Sequence, residues 1–272
     1  MKKKDLIIGC VSNYDYDNIR NWSKSLIQSG FDGDKFIITY NISNDTLLEL
    51  QKDGFTIYEG QLYTNIVVQR FADIWRLLNN IDLTQYNWLI STDVKDVIFQ
   101  TNPSNWLDKN MKDYKFVVAS ESLKYCDEDW AVHNMNESYG PEIYQWISDK
   151  IIYNAGSVAG EVNFTKDLFF INYLLSLAGK SHNPDQASLN ILLSTNLFQD
   201  KIKYTNNVDG WACQLGTTMD STKIEKYKSK LLEPQPLVKN NKLINSQGEE
   251  YCLVHQYDRI PELKNIINQI YA

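Results

Sequence analysis

The stretch Trp88-Leu89-Ile90-Ser91-Thr92-Asp93-Val94-Lys95-Asp96 is an apolar run that breaks into two carboxylates three residues apart. A short continuous apolar run has the pattern of a strand buried on both faces, as in a parallel sheet. The carboxylates then fall at the carboxyl end of that strand, the edge where open α/β sheets bind ligands. Two carboxylates in one turn can face the same side and offer hard oxygen ligands to Mg²⁺ or Mn²⁺. The plainer alternative is that Asp93 caps the turn while Asp96 is solvated or paired with Lys95.

The sequence upstream of this run alternates between two periods. Leu6-Ile7-Ile8-Gly9-Cys10-Val11 is a second continuous apolar run, and Phe36-Ile37-Ile38-Thr39-Tyr40 and Phe55-Thr56-Ile57-Tyr58 are further strands. Between them, Asn18–Gln28 places Ile19, Trp22, Leu26 and Ile27 at helical spacing and stops at Gly30. Asn44–Asp53 reads as a helix capped by Asn44 or Asp45 and stopped by Gly54. Ile66–Leu78 sets Phe71, Ile74, Trp75 and Leu78 on one face and Arg70 and Arg76 off it. Strands alternating with helices over roughly the first 100 residues predict a doubly wound α/β sheet of Rossmann type.

The second half is less regular. Phe116–Ala119 reads as a strand, Ile151–Gly160 as another, and Phe164–Leu177 and Asp185–Leu193 as helices. Between Glu121 and Lys150, Trp130, His133, Tyr139, Tyr144 and Trp146 mix with acidic residues without a clean period, which predicts a long functional excursion. No internal repeat and no Gly/Ser/Pro-rich boundary divides the chain.

Composition narrows the function. The 272 residues are 43% hydrophobic and 12% aromatic, too rich in both for a disordered chain. A net charge of −7 without a basic cluster argues against nucleic acid as partner. The opening Met1-Lys2-Lys3-Lys4-Asp5-Leu6-Ile7-Ile8-Gly9-Cys10 imitates a lipoprotein signal, but its apolar run is far shorter than the 7–15 or so residues such a signal needs. It reads instead as the first strand. No stretch reaches the roughly 20 apolar residues of a membrane span. Cys10, Cys126, Cys213 and Cys252 are scattered, which suits reduced thiols and a cytoplasmic location.

Four motifs in order carry a resemblance: the acidic pair after its strand, Tyr153-Asn154-Ala155-Gly156, Pro184-Asp185-Gln186-Ala187, and Val254-His255-Gln256-Tyr257-Asp258-Arg259. Together they resemble the GT-A glycosyltransferases, in particular the glycogenin-like and bacterial galactosyltransferase group, whose marks are D-x-D, N-A-G, D-Q and a late histidine. Thr92–Gln100 is also similar to a D-x-R/K-D-V-x-F-Q variant found in relatives of that fold. The resemblance implies a mixed, mostly parallel α/β sheet flanked by helices. It implies one domain over residues 1–272, with a nucleotide-sugar half at about 1–110 and an acceptor half at about 111–272.

It also implies chemistry. The expected activity is metal-dependent transfer of a sugar from a UDP- or GDP-sugar to a hydroxyl of a glycan acceptor. Asp93, Asp96 and His255 are the implied holders of Mn²⁺ or Mg²⁺. Because the spacing here is D-x-x-D, one carboxylate is expected to bind the metal directly and the other through water or the ribose. A histidine in such a place is otherwise an ordinary hydrogen-bonded residue, and His182 and His133 are weaker candidates.

The donor would contact Cys10, Val11, Ser12, Asn13 and Tyr14 after the first strand, with Arg70, Lys95 and Arg259 reaching its phosphates or sugar. Asn154, Ala155 and Gly156 would border the sugar. Asp185 and Gln186 are the implied catalytic pair. Trp130, Tyr144, Trp146 and Trp211 are candidates for stacking on the acceptor. Two rivals remain: a nucleotidyltransferase acting on sugar phosphates, which would want a glycine-rich basic loop that Ser12-Asn13-Tyr14-Asp15 is not, and a non-catalytic sugar- or Ca²⁺-binding module.

Overall fold

Apolar runs with no polar face must be covered from both sides, and in this chain they are. The computed structural model describes residues 3–272; Met1 and Lys2 lie outside the described residues. The first half runs β1 (Lys4–Ser12), α1 (Tyr16–Gln28), β2 (Asp34–Tyr40), α2 (Asn44–Lys52), β3 (Thr56–Glu59), α3 (Ile66–Asn79), β4 (Tyr86–Thr92), β5 (Val97–Phe99) and α4 (Pro103–Asn110). The second continues with β6 (Phe116–Lys124), α5 (Asp129–Tyr139), α6 (Pro141–Ile147), β7 (Ile151–Tyr153), β8 (Ser157–Glu161), α7 (Val162–Ser176), α8 (Asp185–Ser194) and β9 (Ile202–Thr205). It closes with β10 (Ala212–Gln214), α9 (Leu215–Thr218), α10 (Ile224–Tyr227), β11 (Leu237–Lys239), β12 (Lys242–Ile244), β13 (Leu253–His255) and α11 (Pro261–Ile270).

The main sheet has the order β3-β2-β1-β4-β8-β6, with β7 and β9 also paired to β6. From β3 to β4 every pairing is parallel. β8 enters antiparallel between β4 and β6, and β7 is antiparallel to β6 while β9 is parallel to it. The sheet is therefore mixed and mostly parallel, as the resemblance implies. Successive residues of β1 point to opposite layers. Ile7 and Val11 pack with Trp22 and Leu26 of α1, whereas Leu6 and Ile8 pack with Phe71 and Ile74 of α3 and Phe169 of α7.

The segment 121–150 is not irregular, which corrects the sequence expectation. β6 extends to Lys124, and α5 and α6 follow. The Glu128 carboxylate caps α5 by accepting the Ala131 N–H, and Gly140, with φ of 86°, ends it. The buried face of α5 is Ala131, Asn134, Met135 and Ser138, a helical spacing whose members are half polar. Asn134 donates to Ser181 Oγ (3.2 Å) and to the Asn183 carbonyl (2.9 Å), so its burial is satisfied. A stripe of that kind is invisible to a count of apolar residues. The expected single strand 151–160 is likewise two strands, β7 and β8, broken at Asn154-Ala155-Gly156.

A second, three-stranded sheet of order β10-β13-β5 hangs beside the first. Trp211, just ahead of β10, is fully buried, its ring 4.9 Å from that of Trp106, and it donates from Nε1 to the Ser157 carbonyl at 3.0 Å. It offers no face to an acceptor, so its assignment to that role is corrected: it is a core residue joining the two sheets. Replacement of such a buried ring by alanine costs about 3–5 kcal/mol. Trp211→Ala is expected to lower the urea unfolding free energy by that amount, measured by tryptophan-independent circular dichroism.

Candidate active site

The turn Asp93–Asp96 is suspended between the two sheets. On one side the Asp93 N–H donates to the Gly156 carbonyl (2.8 Å), continuing the β4–β8 pairing. On the other, the Gln256 N–H donates to the Asp96 carbonyl (2.7 Å), continuing the pairing in which His255 stands opposite Val97. Backbone register alone therefore carries His255 to the two carboxylates. Its Nε2 lies 3.4 Å from Asp93 Oδ2 and 3.6 Å from Asp96 Oδ1.

The other face of the imidazole is fixed as well. Nδ1 is 2.7 Å from Gln214 Oε1, and Gln214 donates from Nε2 to Ser157 Oγ at 2.8 Å, which turns the amide oxygen toward the ring. Nδ1 then carries a proton and Nε2 faces the carboxylates, the arrangement that metal-binding histidines adopt. Gln214 was not among the sequence candidates. No spacing signal marks it; it is found only through the register Gln214↔His255 of β10 and β13.

The donor set fits a divalent cation. One ligand atom each from Asp93, Asp96 and His255 lie within 4.8 Å of one another. Gly156 keeps the space beside them open, since a Cβ there would sit 2.4 Å from Asp93 Oδ2 and 2.8 Å from His255 Cε1. Two carboxylate oxygens with an imidazole nitrogen suit Mn²⁺ better than Ca²⁺.

Arg70 ties the site to the helices. It is buried on α3, pairs through Nη1 with Asp93, and donates from Nη2 to Asp185 Oδ2 at 2.9 Å. Burial pushes the Asp93 carboxyl up, but Arg70 and then His255 outweigh it and hold the group well below the usual carboxylate range. Burial raises the Asp185 carboxyl, with Arg70 opposing. Burial pushes His255 down, yet Asp96 and Asp93 outweigh it and raise the imidazole to about 10.

Two cavities meet at this cluster. The larger, of about 450 Å³, is lined by Asn154, Ala155, Gly156, Asp185 and Gln186 and, farther out, by Trp130, which is 42% exposed. The smaller, of about 300 Å³, is lined by Cys10, Ser12, Tyr14 and Lys95. Arg70, Asp93, Asp96 and Arg259 line both. Lys95 Nζ stands 5.9 Å over the Tyr14 ring.

Other sequence candidates fall elsewhere. The Val11 side chain is fully buried in the core, and Asn13, with φ of 55°, borders a separate cleft beside His182. Tyr144 packs on the cluster beneath α6, and Trp146 is 45% exposed on the same helix; neither lines the larger cavity. His133 faces solvent beside Glu137. Sequence reasoning missed Glu121 and Glu128, both buried, and Asp220 and Lys223, all of which line the larger cavity. Glu121 had the same signal as Asp93, a carboxylate following an apolar strand run, but was assigned to the supposed excursion.

The architecture is that of GT-A-like glycosyltransferases. The galactosyltransferase LgtC, solved with donor and acceptor sugar analogues, superposes with a TM-score of 0.57 at 12% identity, over 97% of this chain and 95% of that one. The bifunctional glycosyltransferase WbbM, in its apo form, gives 0.55 at 11% identity over 94% of this chain, which spans 46% of WbbM. At these identities the likeness establishes a shared fold. No protein-family model and no curated protein matches the sequence.

A pH dependence follows from the imidazole. Its folded value, about 10, lies above the ordinary 6.5. The stability it contributes is therefore complete below about pH 6.5 and is lost as pH rises toward 10. In chelator, the stability difference between wild type and His255→Gln is expected to shrink steadily across that window, measured by urea unfolding at a series of pH values.

Proposed function

We propose that this chain is a metal-dependent glycosyltransferase that moves a sugar from a UDP- or GDP-sugar to a hydroxyl of a glycan acceptor. The observation that carries the reading is the convergence of Asp93, Asp96 and His255 at the junction of two cavities. The shared fold with two glycosyltransferases supports it. Both carboxylates face His255 Nε2 at nearly equal distance, so both are assigned as direct ligands of Mn²⁺ or Mg²⁺. When bound, the cation supplies a Lewis acid that offsets negative charge developing on a departing diphosphate.

The chain's own groups supply the rest. The nucleotide occupies the smaller cavity, with Tyr14 as a stacking face and Ser12 as a polar contact, and Lys95 and Arg259 facing its phosphates. The sugar lies along Asn154-Ala155-Gly156, where the absence of a side chain at Gly156 lets it approach the backbone. Asp185 and Gln186 stand at the reacting carbon. In an inverting enzyme the buried carboxyl of Asp185, already raised by desolvation, takes the acceptor proton; in a retaining one the pair supports the donor sugar. Trp130 at the outer rim offers its exposed face to the acceptor. Among the described residues no helix is long and apolar enough to cross a membrane. All four cysteines are free thiols, in keeping with a cytoplasmic site of action.

Thermal shift with UDP, GDP and their sugars, with and without Mn²⁺, is the direct test. Ligand binding to the folded state raises stability by about 2.7 kcal/mol at a hundred times Kd. A nucleoside diphosphate is expected to raise the melting temperature only with the cation, and Asp93→Ala, Asp96→Ala and His255→Ala are expected to abolish that increment. Stabilisation that is absent for every nucleotide, or indifferent to metal, sinks the reading. Gln214→Leu removes the group that orients His255, together with its bond to Ser157 Oγ, and by the behaviour of such partners it should weaken Mn²⁺ about 10- to 100-fold by isothermal calorimetry.

A further inference from the structure

Glu121 is a buried carboxylate that the proposed reaction does not use, and its placement is unusual. It sits in β6 one residue before Ser122, a fully buried serine held at φ of 62°. Left-handed backbone at a residue other than glycine is rare and persists only where surrounding bonds enforce it. Here they do: the Ser122 N–H donates to Ser120 Oγ (2.8 Å), the Leu232 N–H donates to the Ser122 carbonyl (2.9 Å), and Thr217 Oγ1 donates to the Glu121 carbonyl (2.8 Å). The β6–β7 register shifts between Ser120 and Lys124 at this point. Irregularities of this kind beside a cavity re-aim a side chain, and the side chain re-aimed is Glu121, which lines the larger cavity.

One oxygen of Glu121 then does two things. Oε1 accepts from Asn154 Nδ2 at 2.8 Å and from Gln186 Nε2 at 3.0 Å. Each of those amides thereby has its nitrogen turned to Glu121 and its oxygen turned away. The oxygens in turn accept backbone hydrogens: Asn154 Oδ1 from the Gly156 N–H (2.6 Å), and Gln186 Oε1 from the Ala155 N–H (3.3 Å). The Gly156 carbonyl accepts the Asp93 N–H. A continuous set of bonds thus runs from Glu121 through both amides and the 155–156 backbone to the metal-binding turn.

We infer that Glu121 is a positioning residue, which fixes the amide orientation of Asn154 and Gln186 and through them the edge of the sugar site. The inference rests on the function proposed above. It assigns Glu121 the role of hydrogen-bond acceptor, with no proton transfer, and that distinction is testable because glutamine at 121 keeps an oxygen for both amides.

The experiment measures hydrolysis of UDP-glucose, UDP-galactose and GDP-mannose with Mn²⁺, using whichever the wild type turns over, with Mn²⁺-dependent nucleoside-diphosphate binding by calorimetry alongside. Glu121→Leu is expected to lower kcat by ~10²-fold, the scale of a misplaced reacting group, with nucleoside-diphosphate affinity within about threefold of wild type. Glu121→Gln is expected to restore kcat to within about fivefold of wild type. The double variant Glu121→Leu/Gln186→Leu is expected to be no slower than the slower single variant, since the two residues act as one unit. If Glu121→Leu does not fold, Glu121→Asp, which retracts the oxygen by one methylene, takes its place with the same expected loss. A Glu121→Gln enzyme as slow as the leucine or aspartate variant overturns the inference, and so does a leucine variant as fast as wild type. Failure of the wild type itself to bind any nucleoside diphosphate with metal is a failure of the proposed function, and the two results are told apart in the same assay.

Discussion

The site depends on one backbone pairing. β5 and β13 are three-residue strands, and their antiparallel register places His255 opposite Val97, the neighbour of Asp96. The carboxylate turn is otherwise an excursion from β4 with no reason to face the end of the chain. With the pairing in place, an imidazole arrives within 4 Å of two carboxylates, and β10, paired on the far side of β13, brings Gln214 to the opposite face of the same ring. The second sheet packs Ile98, Cys213 and Val254 against Leu263, Ile267 and Tyr271 in a cluster of its own. Its work is to hold these groups, and Trp211 pins it to the first sheet through the Ser157 carbonyl.

The buried charges at the centre of the site are met by partners, although Arg70 Nε makes no hydrogen bond. Arg70 meets Asp93 and Asp185, His255 meets Asp93 and Asp96, and Glu121 meets two amides. Buried ionic groups contribute little net stability, because desolvation offsets their attraction. What such a set supplies is one geometry. A net-negative protein can bind a polyanion when the attraction is concentrated in a cation held at one place, so the overall charge of −7 is compatible with a phosphate-bearing ligand.

Most of the fold was legible because its signals are local. The runs at Leu6, Phe36 and Trp88 have no polar face, and α1 and α3 announce themselves by spacing. The α5 helix was not legible because its inward stripe includes Asn134 and Ser138, whose burial is satisfied by residues about 45 positions later, Ser181 and Asn183. The site divided the same way. Asp93, Asp96 and Asp185 follow strand ends or open helices, features that spacing reveals. Gln214 owes its role to a strand register that no local pattern encodes, whereas Glu121 carried a local signal, a carboxylate after an apolar run, and only its aim into the cavity depends on the bend of the strand. Trp211 misled because an aromatic ring looks the same in sequence whether it stacks on a ligand or on Trp106.

The small sheet also has a topological meaning. Tyr257 donates to the Lys95 carbonyl at 3.1 Å across 162 positions of chain, beside the contacts that carry His255 to Asp93 and Asp96. A cation held by those three residues would act as a cross-link closing a loop of more than half the protein. Closing so long a loop has an entropic cost that local structure does not repay. Ligation would therefore be sensed along the whole chain, as a clasp between the turn that follows β4 and the segment that follows β12.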